Sequence, residues 1–127
     1  MACDVSIELE RGRIRADMSG FLSLSDVAAF ARDEQEGARE IIRHKGYFDL
    51  LVQTPGAKAQ GQDVMGAFQQ LVVRSPLKAR RIAIVAASPL LRMQIRRVLP
   101  NDHIKAFETV VEADAWLDDM SLAPQPA

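Results

Sequence analysis

The spacing of apolar residues changes along this chain in a fixed order, and that order constrains the fold more than any single motif does. Recurrence at every second residue marks a half-buried strand, and recurrence at three and four marks one face of a helix. Read this way, the sequence runs strand, strand, helix, strand, helix, strand, helix, strand, helix. Two strands in succession form an antiparallel hairpin, and the alternation that follows builds parallel strands joined by helical crossovers. The expected architecture is an α/β sandwich with a mixed sheet of about five strands and four helices. The 127 residues fit a single domain, placed at 1–120, with 121–127 as a flexible proline-containing tail.

The hairpin is the most regular stretch. Val5, Ile7 and Leu9 alternate with Ser6, Glu8 and Glu10, and Ile14, Ala16 and Met18 alternate with Arg13, Arg15 and Asp17. A two-residue turn at Arg11-Gly12 sets Leu9 opposite Ile14, Ile7 opposite Ala16 and Val5 opposite Met18. It also sets Glu10 opposite Arg13 and Glu8 opposite Arg15, which are favourable cross-strand pairs. One face is then apolar and the other charged, as expected of a sheet covered on one side only.

Ser25 is the expected N-cap of a first helix running to about residue 43, with Asp26 in its first turn and Gly46 ending the segment. Its apolar stripe contains Val27, Phe30, Ala31, Ala38, Ile41 and Ile42, interrupted by Glu34, which is expected at the margin. A buried strand follows at 47–53, a loop from Thr54 to Gly61, and a second helix at 62–74 closed by Ser75-Pro76. Residues 82–86 read as a strand covered on both faces. Ser88-Pro89 supplies an N-cap and first-turn proline for a third helix ending near 99. A fifth strand is expected at 103–107 and a last helix at 110–120, docking through Val111, Ala115 and Trp116.

Composition removes several function classes. Apolar residues are 48% and charged residues 26%, which is the globular range rather than that of a disordered, collagenous or coiled-coil chain. Cys3 is the only cysteine, and His44 and His103 are the only histidines, so cysteine-based zinc sites and CxxC redox chemistry are excluded. No metal and no cofactor are expected. The opening residues carry no basic and apolar signal-peptide pattern, and the run from 82 to 91 is too short for a membrane span. The expectation is a cytoplasmic protein without a transmembrane segment. No carboxylate pair, nucleophile elbow or oxyanion motif is evident, Asp102-His103 included, so no catalytic residue is assigned and the chain reads as a non-enzyme.

Several segments resemble the STAS superfamily (sulfate transporter and anti-sigma-factor antagonist domains), in particular its SpoIIAA-like branch, which is related to the lipid-binding CRAL-TRIO fold. They are Val5-Ser6-Ile7-Glu8-Leu9 in the hairpin, Arg81-Ile82-Ala83-Ile84-Val85 before a basic helix, and the closing Glu112-Ala113-Asp114-Ala115-Trp116-Leu117. The likeness runs from about Val5 to Asp118. It implies a STAS-like fold and a regulatory, protein-binding role, with lipid binding as a further possibility. The family's phosphorylatable serine would fall in Ala57-Lys58-Ala59-Gln60-Gly61-Gln62-Asp63, a segment with no serine or threonine; Thr54 is the nearest hydroxyl.

Ligands of open α/β sheets gather at the carboxyl ends of parallel strands, near helix N-termini. The corresponding residues here are Thr54, Gly56, Lys58 and Gln60 in one loop and Ser88 in the next. Charge supplies a second candidate surface. Between Arg74 and Lys105 there are eight basic residues and one acid, Asp102, a net of +7, leaving −8 for the remainder of a chain whose total is −1. Arg92 and Arg96, four apart, share a face of the third helix. The expected partner is an acidic protein or a second copy of the chain; nucleic acid is disfavoured because no aromatic residue is interleaved. The leading expectation is therefore a non-catalytic interaction module docking through these loops and the basic helix. The alternative is a small carrier for an apolar or amphipathic anionic, lipid-like ligand, with Met18, Phe21, Leu22, Leu24, Phe30 and Phe68 as candidate cavity residues and Phe21 and Leu22 as candidates for exposure.

Overall fold

A computed structural model describes residues 3–56, 60–99 and 102–119. Lys58, Met120 and the tail at 121–127 lie outside the described residues. The elements are β1 (Cys3–Glu8), β2 (Arg13–Met18), α1 (Leu24–Lys45), β3 (Asp49–Gln53), α2 (Gln62–Arg74), β4 (Ile82–Val85), α3 (Pro89–Val98), β5 (Ile104–Phe107) and α4 (Val110–Asp118). The five strands form one sheet in the order β1-β2-β3-β4-β5, with β1 and β2 antiparallel and the other neighbours parallel. This is the mixed α/β architecture that the apolar spacing requires.

Alternation along each strand assigns its two faces. Ile14, Ala16, Leu50, Val52 and Ile84 join the core beneath α1, α2 and α3, which contribute Phe30, Ala38, Ile41, Met65, Leu91 and Ile95. Leu51 and Ala83 point the other way and pack with Ala113 and Leu117 of α4. Three helices therefore cover one face and one helix covers part of the other. Each fully buried Leu or Ile contributes about 1.5–3 kcal/mol relative to exposure.

Four local expectations are corrected. The hairpin pairs Glu8 with Arg13, Ile7 with Ile14 and Val5 with Ala16, a register two residues away from the expected one. The loop is residues 9–12, tightened by bonds from Arg11 N to Glu8 O and from Gly12 N to Leu9 O. Within this loop only Gly12, at φ 66°, has the left-handed conformation; a two-residue type I′ turn would have forced Arg11 there too, at a steric cost. A shift of two preserves the faces, and Arg15 Nε still donates to Glu8 Oε1 at 2.9 Å, now on a diagonal.

The N-cap of α1 is Ser23, not Ser25. Ser23 Oγ accepts from Asp26 N and Asp26 Oδ2 accepts from Ser23 N, a complete capping box, and satisfying two terminal donors at once outweighs a single cap. Glu34 is buried, 4% exposed, rather than marginal. In α4 the docking residues are Ala113 and Leu117, with the expected Trp116 packed against the same cluster, while Val111 is 74% exposed and Ala115 is exposed. Thr109 caps the helix, and its phase turns Asp114 and Asp118 toward the arginines of β2.

Candidate functional site

The sheet and helices α1–α3 line a partly open apolar cavity of about 110 Å³. Its wall includes Met18, Leu22, Phe30 and Phe68, four of the six residues expected to line one. Phe21, 75% exposed, and Leu24 stand outside it. The Phe30 and Phe68 rings meet edge to face at 6.2 Å.

One carboxyl faces this apolar space. Glu34 Oε1 accepts from Gln35 Nε2 at 2.6 Å; among the described residues no donor reaches Oε2. Burial pushes the Glu34 carboxyl above its ordinary value, and the Gln35 bond offsets only part of that. Lys78 also lines the cavity, but its Nζ donates to Val72 O, Val73 O and Ser75 O at the end of α2.

Glutamine side chains tie neighbouring segments together near both ends of the cavity. Where the parallel strands finish, Gln60 Oε1 accepts from Leu22 N and Gln60 Nε2 donates to Gly20 O, while Gln60 N donates to Gln94 Oε1 and Gln94 Nε2 donates to Gln60 O. At the opposite end Gln35 Nε2 donates to Leu77 O and Gln35 Oε1 accepts from Leu77 N. Glu34 and the second clasp thus share one amide.

The structure places the strand-end candidates as follows. Thr54 Oγ1 donates to Val85 O at 2.7 Å, holding the ends of β3 and β4 together. Gly56 turns the chain at φ 67°. Gln60 is the clasp, and Ser88 Oγ caps α3 by accepting from Leu91 N. Strand order follows chain order, so the sheet has no switch point and no crevice of the kind that a reversal of strand order opens. Thr54 and Gln60 border the cavity; Ser88 and Gly56 do not.

The basic segment divides into inward and outward members. Arg80 and Arg81 are buried. Arg80 grips Asp49 through two bonds, Nε to Oδ1 at 2.9 Å and Nη2 to Oδ2 at 2.5 Å, and lies 4.5 Å above the Tyr47 ring. Arg81 stacks on Trp116 at 4.9 Å and donates through Nη2 to Leu117 O and Asp119 O, with no partner for Nε or Nη1 among the described residues. Burial and then the neighbouring Arg80 charge pull its pKa below the ordinary arginine value. Arg13 bonds Asp114 and Asp118 at 2.7 and 2.6 Å. These arginines hold α4 against the sheet.

Arg92 is turned back as well, donating through Nη1 to Ala86 O and Ala87 O. Arg74, Arg96 and Arg97 are exposed and form no ion pair among the described residues. Arg97 lines a groove of about 460 Å³ between α2 and α3, together with Gln62, Met65, Leu90 and Met93. Leu90 and Met93 are 62% and 51% exposed. They lie three apart, with Arg97 one turn on, so one helix face carries two uncovered apolar side chains and a cation. Sequence reasoning singled out Arg92 and Arg96 with Arg97 beside them, noticed Glu34 only as a break in the α1 stripe, and missed Met93. The available signal was two apolar residues lying off the Leu91–Ile95 stripe.

Cys3 is buried and its thiol is pushed up by burial and by Asp26 and Asp4, so it is not a poised nucleophile. Among the described residues no group of three or more His, Cys, Asp or Glu side chains is placed to hold a metal ion, and no helix is long and apolar enough to cross a membrane. No protein-family model matches the chain, and no curated protein matches its sequence.

Proposed function

We propose that this protein is a non-catalytic interaction module, cytoplasmic and STAS-like, whose α2–α3 groove docks an acidic amphipathic segment of a partner protein. The observation that carries this reading is the Leu90–Met93–Arg97 face. Uncovered apolar side chains beside a groove mark interaction surfaces, and the groove lining contains no carboxylate. Arg97 lines the groove and Arg96 is its exposed neighbour on α3, and neither forms an ion pair among the described residues, so both are open to complementary charge on a partner. An amphipathic helix satisfies both demands by laying apolar residues on Leu90 and Met93 and acids against the arginines. Docking here is attributed to Arg96 and Arg97 rather than to Arg92, whose guanidinium is occupied by backbone carbonyls.

The test is photo-cross-linking from position 93 in extract of the native host. The expected product is a heterologous adduct, mapped to an acidic segment, that weakens as salt rises and disappears in Arg96→Glu/Arg97→Glu. An adduct with a second copy of this chain alone, an adduct indifferent to the double reversal, or no adduct would overturn the proposal.

A further inference from the structure

A folded interior leaves few voids larger than a water molecule, yet this one holds about 110 Å³ against an almost wholly apolar wall. It also contains a carboxyl at a position where the rest of the α1 stripe is apolar. Leu or Met at position 34 would fill space and avoid desolvating a carboxyl; Glu34 instead has one oxygen that accepts no hydrogen bond among the described residues and is not sealed away from solvent-sized space. We propose that the cavity beneath α1–α3 binds a small neutral molecule with an apolar body of about one ring and a single hydroxyl group, which pairs with Glu34. The site is independent of the docking groove, although Met65 borders both.

Three observations define the ligand class. An apolar cavity of roughly 150 Å³ accepts benzene, so about 110 Å³ limits the occupant to one ring or a short branched chain and disfavours an acyl lipid. Among the described residues Glu34 and Lys78 are the only ionisable side chains on the wall, and Lys78 Nζ is held by carbonyls at the end of α2. An anionic ligand would face the Glu34 carboxyl, while Lys78 has three N–H bonds already committed to backbone carbonyls. A hydroxyl both donates and accepts, so it satisfies Glu34 Oε2 in either protonation state.

The test titrates phenol, toluene and benzoate separately into ¹⁵N-labelled full-length protein, followed by NMR shifts and calorimetry. Saturable phenol binding is expected, with shifts centred on Phe30, Met65 and Phe68, and no binding of benzoate. Phenol should bind about tenfold more tightly than toluene, the ratio corresponding to one net hydrogen bond. Glu34→Met should erase that preference while toluene still binds. Glu34→Gln should keep it, which covers the case in which the methionine variant does not fold. Val72→Phe, filling the cavity from α2, should abolish binding of both. Shifts that never saturate, shifts centred elsewhere, benzoate binding as well as phenol, or a phenol preference lost in Glu34→Gln or retained in Glu34→Met would overturn the proposal.

Discussion

The backbone of Gln60 and the side-chain amide of Gln94 exchange two hydrogen bonds, at 2.9 and 2.7 Å. A loop residue and a helix residue thereby pair much as two strand residues would. Because the Gln60 side chain also binds Gly20 and Leu22, three segments at the carboxyl ends of the strands are joined at one point above the cavity.

Gln94→Ala removes both bonds from Gln60 and should destabilise the fold by about 1–2 kcal/mol in urea denaturation. Faster amide hydrogen exchange at Gln60 and Leu22, with β3 and β4 unaffected, is the local signature. Unchanged exchange at Leu22 would show that the loop is held without Gln94.

Glu34 makes stability depend on pH with a definite sign. Its carboxyl is raised in the folded state, so the native protein retains a proton that the unfolded chain has released. The contribution of Glu34 to stability is then most favourable below the ordinary carboxyl value of 4.5 and is lost as pH rises from there through the folded value. Glu34→Gln removes this slope. Denaturation of the two proteins side by side should show a gap in favour of the glutamine variant that is absent at acid pH and widens toward neutrality. A gap that narrows instead would mean the carboxylate is stabilised by something other than Gln35.

Asp49 and Arg81 are both buried and should respond in opposite ways. Asp49→Ala strands the buried Arg80 guanidinium and is expected to lose about 3–5 kcal/mol. Arg81→Met removes a cation with two unpartnered nitrogens and keeps its volume against Trp116; it should lie within about 1 kcal/mol of the parent or above it. Equal losses in both variants, by chemical denaturation, would refute the assignment.

Phe21 and Leu22 are adjacent and environmentally opposite. Phe21→Ala should change stability by no more than about 0.5 kcal/mol, whereas Leu22→Ala, trimming the cavity wall, should destabilise by about 1–2 kcal/mol. Thermal melts of the two variants make the comparison.

What the sequence shows most clearly is what depends on neighbours along the chain. The bounds of α2 at Gln62 and Arg74, the Ser88 cap and the Gly46 terminus follow from spacing and local hydrogen-bonding chemistry. The facing of each strand is equally legible, because a period of two survives a register error of two, as the hairpin shows at Ile7 and Ile14. The candidate site is less legible. Arg80, Arg81, Arg92, Arg96 and Arg97 look alike in sequence, and their separation into buried tethers, a carbonyl-bound residue and an outward pair required knowing where Asp49, Trp116 and the Ala86–Ala87 carbonyls come to rest.

The order of elements, the hairpin and its apolar face, and the concentration of positive charge between residues 74 and 105 are properties of the sequence alone, since each rests on spacing within a few residues or on simple counting. The phase of α4, the burial of Glu34 and the cavity beside it were decided by tertiary structure. Each of these depends on how well three helices fill the space above a twisted sheet. Packing density is a property of many distant side chains together, with no local spacing to announce it.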